Sequence, residues 1–192
     1  MTATRRIITG LRDGRSVLVA DELRPGIALT SIPGFHFNEI WTTESTARHP
    51  APITHTPSGG WLPSAGGTQF QIVVFPPDAV LGQPDFDPVA AAEEQRRLFP
   101  GVASHFDPDH PGMHATPTVD YAIMLQGRII LELDDGASLT LAPGDVVVQN
   151  GARHAWRNPG DAPATLAFIL VGVLPANAVD PTTTYASFGS TV

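Results

Sequence analysis

The chain of 192 residues contains no cysteine and no lysine, and all 11 of its basic residues are arginines. Without cysteine there is no disulfide, no thiolate nucleophile and no Cys-ligated zinc or iron–sulfur cluster. Without lysine there is no Schiff-base chemistry and no phosphate-loop lysine. Positive charge is scarce altogether. The formal net charge is -8 and the pI about 5.2. Such a surface repels a phosphate backbone, so no nucleic-acid partner is expected. Long apolar runs are missing too. The longest, ATLAFILVGVL from Ala164, is bounded by Pro163 and Pro175 and reads as a buried strand. It falls far short of the roughly 20 residues of a membrane span. No apolar run long enough for a signal peptide follows the N-terminal arginines, so none is expected and the chain reads as cytoplasmic, with no membrane partner. Chemistry has to come from His, Asp, Glu, Tyr, Ser, Thr, Arg or a bound metal.

What is abundant is turn chemistry, with 19 prolines and 18 glycines beside an apolar fraction of 42%. Many short elements around a real core are therefore expected. RRIIT (5–9) and SVLVA (16–20) flank the turn signal Arg-Asp-Gly-Arg, and FHFNEIWTT (35–43) is a further candidate strand. Residues 45–67 read as a long loop, followed by the strand TQFQIVVF and then Pro76-Pro77. One short helix is expected at about 88–99: Pro88 suits its first position, VAAAEEQRRLF consists largely of good helix formers, and Pro100-Gly101 stops it. From Thr118 onward, VDYAIMLQG, RIILELDD, ASLTLAPG, DVVVQ, HAWRN and ATLAFILVGV are separated by Gly-, Pro- and Asn-containing turns. That density of short strands predicts an all-β, antiparallel barrel or jelly roll with extra N-terminal strands. The expected divisions are 1–65, strands and a loop extending the barrel; 66–175, the barrel; and 176–192, a tail.

Residues two apart on a strand share a face. If a strand begins near His114, then His114, Thr116, Thr118 and Asp120 point the same way. His154 and Trp156 share a face about 30 residues later. A barrel bringing His114, Asp120 and His154 together would offer two imidazoles and a carboxylate, the facial set preferred by non-haem iron(II). Zinc, manganese or nickel fits the same donors. The competing reading makes His154 a buried histidine hydrogen-bonded to Asp120, with no metal. An inward Asp120 needs a metal, a charged partner or a role in the chemistry to offset its burial. His110 reads as a solvated loop histidine, Tyr121 as packing, and Arg153 and Arg157 as a solvated rim. His36, His49, His55 and His105 have no assignable role.

The segment 114–158 resembles the two sequence motifs of the cupin superfamily. The first reads His114-Ala115-Thr116, then Asp120 and, after six residues, Gly127. The second reads Gly144-Asp145, then Gly151-Ala152-Arg153-His154 and Asn158. Leu139 to Asn158 is similar nearly position by position, except that Gln149 stands where proline is usual, with one residue fewer before it. The resemblance covers residues 68–174 and implies a cupin-like barrel with ligand positions at His114, Thr116, Asp120 and His154. Two of these depart from the family pattern, since Thr116 replaces a histidine and Asp120 a glutamate. Three expected metal ligands remain: His114, Asp120 and His154. Thr116, Trp156 and Phe168 are the expected substrate-pocket residues. The resemblance implies a metal-dependent enzyme acting on a small organic molecule, of oxygenase, isomerase, lyase or cyclase type. A metal-free dehydratase or cyclase using Asp120 and His154 as acid and base, or a non-catalytic ligand-binding barrel, are the alternatives. A homodimer is the expected assembly.

Overall fold

The computed structural model describes residues 3–47 and 61–174. The first two strands, β1 (Ala3–Arg12) and β2 (Arg15–Pro25), form an antiparallel hairpin. Asp13 and Gly14 between them both have positive φ, 51° and 76°. A two-residue turn of that hand matches the twist of the flanking strands, and glycine adopts it without steric cost. The hairpin lies against β4 (His36–Thr43): Arg6 donates to the Ile40 carbonyl at 2.7 Å and stacks over the Trp41 ring.

The remaining strands are β3 (Ile27–Ala28), β5 (Thr68–Phe75), β6 (Thr118–Gln126), β7 (Ile129–Leu133), β8 (Ser138–Leu141), β9 (Val146–Asn150), β10 (His154–Arg157) and β11 (Ala164–Gly172). They form a six-stranded sheet in the order β3-β4-β5-β11-β6-β9 and a three-stranded sheet in the order β10-β7-β8, with antiparallel pairing throughout. The two sheets face each other across one core, in which Ile129 from the smaller sheet and Met124 and Leu166 from the larger are essentially inaccessible. The all-β architecture with extra N-terminal strands is the one expected. The division at 65/66 falls within one sheet, because β4 pairs directly with β5. The tail 176–192 lies outside the described residues.

Helix α1 (Pro88–Leu98) starts as its residues dictate. The Asp87 side chain accepts from the N–H groups of Val89 and Ala90 at 2.9 and 3.1 Å, Pro88 occupies the first turn, and Arg96 and Arg97 occupy the last. The helix ends at Leu98, just before Pro100-Gly101, as expected. Pro100 has a second effect. It opens a second short helix, α2 (Pro100–Ala103), because a proline lacks only an N–H that a first turn leaves unbonded. Glu94 ties α1 to the loop before β4. Its carboxylate, 8% exposed, accepts from the backbone and hydroxyl groups of both Thr30 and Ser31. Burial pushes the Glu94 pKa up, but these four donors outweigh it and hold it at about 2. Among the described residues, no helix is long and apolar enough to cross a membrane.

Candidate active site

Strand β6 begins at Thr118, not at His114. The expected single strand is interrupted at Ala115–Pro117, where proline cannot donate to a ladder. His114 nevertheless reaches its expected neighbour by another route. It forms an isolated bridge with His154, each backbone N–H donating to the other's carbonyl at 2.9 Å. The two imidazole rings lie 4.5 Å apart, centroid to centroid. His114 Nδ1 lies 3.0 Å from the Gly112 carbonyl and His154 Nδ1 lies 2.8 Å from the Ala152 carbonyl. A carbonyl only accepts, so in both rings Nδ1 carries the proton and Nε2 keeps a bare lone pair. Burial lowers the pKa of both histidines. His114 is pushed down to about 4, with the charge of His154 adding to its burial. Both imidazoles are therefore neutral at pH 7.

On β6 the even-numbered side chains point inward, as the period of a strand requires: Thr118, Asp120, Ala122 and Met124 are all buried. Asp120 is 8% exposed. Burial pushes its pKa up to about 6, against the opposing pull of a hydrogen bond from Thr118. The Thr118 hydroxyl in turn lies 2.7 Å from that of Thr116, so the three side chains form a hydrogen-bonded line. Oδ1 of Asp120 is buried with no hydrogen-bond partner. Tyr121, of opposite parity, lies on the outer face, 42% exposed, beside Val148 of β9.

His154 and Trp156 share the inner face of β10, with ring centroids 5.7 Å apart. Trp156 meets Phe168 at 5.5 Å, and Phe75 lies near both. The interior thus grades from a polar end, with Thr118 and Asp120, through an aromatic layer to the aliphatic core. Trp156 and Phe168 meet in the interior, while Thr116 precedes β6 and is tied to Thr118.

Sequence reasoning missed the rest of the polar end. Gln69, Gln71 and Gln149 are 0%, 7% and 5% exposed. The alternation in TQFQIVVF marks the two glutamines as one face, but a polar face is ordinarily the wet one. His105, left unassigned, is near enough for its charge to depress His114. His110 sits 63% exposed beside Asp107, a loop histidine as read. Arg153 and Arg157 are not a freely solvated rim. Arg153 pairs with Asp107 and Asp134, and Arg157 pairs with Glu132 at 2.6 Å. Asn158 is a structural clamp, donating to the Phe75 and Ala162 carbonyls. His49 and His55 lie outside the described residues.

For a metal, the donor set is incomplete. The two Nε2 lone pairs suit a cation, since imidazole ligands are ordinarily oriented through the other nitrogen. Among the described residues, however, no group of three His, Asp or Glu side chains stands close enough to hold one. Thr116 and Asp120 are engaged along the threonine line instead. The residues as arranged do not fit a three-ligand centre.

Residues 100–171 match the family model described as Cupin domain. Phomopsin biosynthesis cluster protein C' of Diaporthe leptostromiformis is 52% identical over 46 residues, 24% of each chain. The cupin-domain-containing oxidoreductase virC of Hypocrea virens is 35% identical over 66 residues, 33% of this chain and 34% of that one. The matched region spans about a quarter to a third of the length of these curated relatives. Among solved structures, a Cupin 2 conserved barrel domain protein from Salinispora arenicola is 17% identical, covering 79% of this chain and 89% of its own, with a TM-score of 0.38.

Proposed function

Because residues 100–171 form a cupin domain and the chain therefore belongs to the cupin superfamily, we propose that it is an enzyme moving a proton on a small organic molecule, with Asp120 and His154 as acid and base. The observation that carries this reading is the state of Asp120: a buried carboxyl with Oδ1 unpaired and its pKa raised to about 6 by burial. A carboxyl in such a place is costly unless it has work to do. The two histidines beside each other are shifted the opposite way. Between about pH 4 and pH 6 a protonated carboxyl therefore coexists with a neutral His114, the reverse of the usual order. One interior then holds both a proton donor and bare imidazole acceptors, which is the pattern of general acid–base catalysis. Trp156 and Phe168 form an aromatic wall suited to an apolar substrate body. Isomerisation, dehydration and cyclisation all need a proton moved in this way. The relatives named for a biosynthesis cluster and as an oxidoreductase support chemistry on a small molecule.

A metal-dependent enzyme, with iron first and zinc, manganese or nickel next, is the second reading. The paired Nε2 lone pairs of His114 and His154 favour it.

The test is exchange of α-hydrogens for deuterium in acetophenone and ethyl acetoacetate, followed by NMR in heavy water on chelator-treated protein. Exchange should survive chelation and fall about a hundredfold or more in Asp120→Asn. An Asp120→Asn protein as active as wild type would sink the reading. Activity lost on chelation, with a stoichiometric metal that His154→Ala no longer retains, would move it to the metal-dependent form.

A further inference from the structure

The register row that crosses the six-stranded sheet at Asp120 reads Gln69, Leu170, Asp120, Gln149 over β5, β11, β6 and β9. Asp120 and Gln149 are direct partners on neighbouring antiparallel strands, which sets their Cβ atoms roughly 4.5–5.5 Å apart. Both side chains are more than nine-tenths buried. Each has one atom without a hydrogen-bond partner, and the two are of opposite kind: Asp120 Oδ1 accepts, and Gln149 Nε2 donates. A buried amide is retained only where something offsets its desolvation. On the other flank of Asp120, Leu170 has no donor to offer.

We propose that Gln149 is a positioning residue for Asp120, its Nε2 turning to donate to Oδ1 across the register. Thr118 then holds the carboxylate by a hydroxyl and Gln149 by an amide. The plane of the group is then fixed between two donors. A turn of the Gln149 side chain is all the contact needs, since the strand register already sets the two side by side. This role rests on the reading of Asp120 as the proton carrier.

The test uses full-length protein and acetophenone exchange as the probe reaction. Gln149→Met keeps the length of the side chain and removes the donor. We expect kcat to fall about tenfold, equivalent to ~1.4 kcal/mol in the barrier, with KM within about twofold. In the Asp120→Asn background the same change should add nothing, because Gln149 acts only through Asp120. A loss confined to KM, or an equal loss in both backgrounds, overturns the proposal. The wild-type protein supplies a readout free of any folding defect. Gln149 side-chain amide protons should show NMR cross-peaks to the Asp120 β-protons above pH 7. Amide protons without that contact overturn it. If Asp120→Asn leaves exchange intact, the proposed function falls, while the NMR contact still decides whether Gln149 and Asp120 are coupled.

Discussion

His114 and His154 are locked backbone to backbone, each N–H on the other's carbonyl at 2.9 Å, while each ring is tied by Nδ1 to a carbonyl two residues earlier. The sheet and the two local carbonyls together determine which nitrogen of each ring is free. At pH 7, nitrogen-15 NMR should find both rings neutral, with the proton on Nδ1. His154→Ala should raise the His114 pKa only part of the way back toward 6.5, because burial is the larger cause of its depression. A dominant Nε2–H tautomer would contradict the geometry.

Asp120 and His114 drive the pH dependence of stability in opposite directions. The folded pKa of Asp120, about 6, lies above its ordinary 3.8. Its contribution is present below about pH 4 and is lost as pH rises to about 6. The folded pKa of His114, about 4, lies below its ordinary 6.5. Its contribution is present above pH 6.5 and is lost as pH falls to about 4, and His154 acts in the same sense. The Asp120 and His114 terms, each on the order of 3 kcal/mol, oppose one another in the wild type. Asp120→Asn removes one side of that balance. Urea midpoints should show the variant losing on the order of 2–3 kcal/mol more than wild type between pH 6.5 and pH 4. Parallel profiles for the two proteins would contradict a buried, raised carboxyl.

Glu94 is the tie between α1 and the loop at Thr30 and Ser31. Glu94→Ala strands four donors and should cost about 2–3 kcal/mol in urea unfolding at pH 7, with Glu94→Gln in between. Its lowered pKa places this contribution above about pH 4.5, with loss as pH falls toward 2. A neutral effect of Glu94→Ala would mean the loop is held by other contacts.

Gly172 ends β11 where a side chain has no room. A Cβ there would stand 2.1 Å from the Ser64 carbonyl oxygen and 2.7 Å from that of Pro63. Backbone cannot yield as a flexible side chain would, so Gly172→Ala must lift the segment around Ser64 off the inner face, beside Thr118. We expect a loss of about 1–3 kcal/mol and faster hydrogen exchange at Gly66, whose N–H donates to the Gly172 carbonyl. Unchanged exchange at Gly66 would show that the segment does not depend on this contact.

The hairpin of β1 and β2 carries Ile7, Leu18 and Leu23 on its outer side, 56%, 63% and 70% exposed. Tyr121, Val146 and Val148 make a second apolar surface on the outside of β6 and β9. Surfaces of this kind are commonly covered by another chain. Light scattering should give twice the 20.3 kDa chain mass, and Leu18→Glu together with Leu23→Glu should shift it toward the monomer. A wild-type monomer at micromolar concentration would leave these faces without a homodimer role.

Much of the architecture was legible because turns and strand periods are local properties. The Asp13-Gly14 turn, the helix start at Pro88, the run of strands after Thr118 and the pairing of His154 with Trp156 on one face all follow from neighbours a few residues apart. Thr118, Asp120, Ala122 and Met124 share the buried face that alternation assigns them. The place where alternation failed is TQFQIVVF. A period of two sorts Gln69 and Gln71 from Phe70 and Ile72 but cannot say which set meets the opposite sheet. The glutamines turn inward because β11 sets Gln69 and Gln71 opposite Leu170 and Phe168, the strand's buried positions.

By itself, then, the sequence determined the element order, the all-β class and the pair of motif segments that carry His114, Asp120 and His154. Each of these is written in turn residues and short-range patterning. Only the tertiary structure decided which donors meet. Pro117 breaks the strand that was to align His114 with Asp120, and a bridge across to β10 pairs the two histidines instead. Asp120 is left with Thr118 on one side and Gln149 across the register. Side-chain neighbours at that distance depend on how whole strands are laid beside one another, which no window of sequence contains.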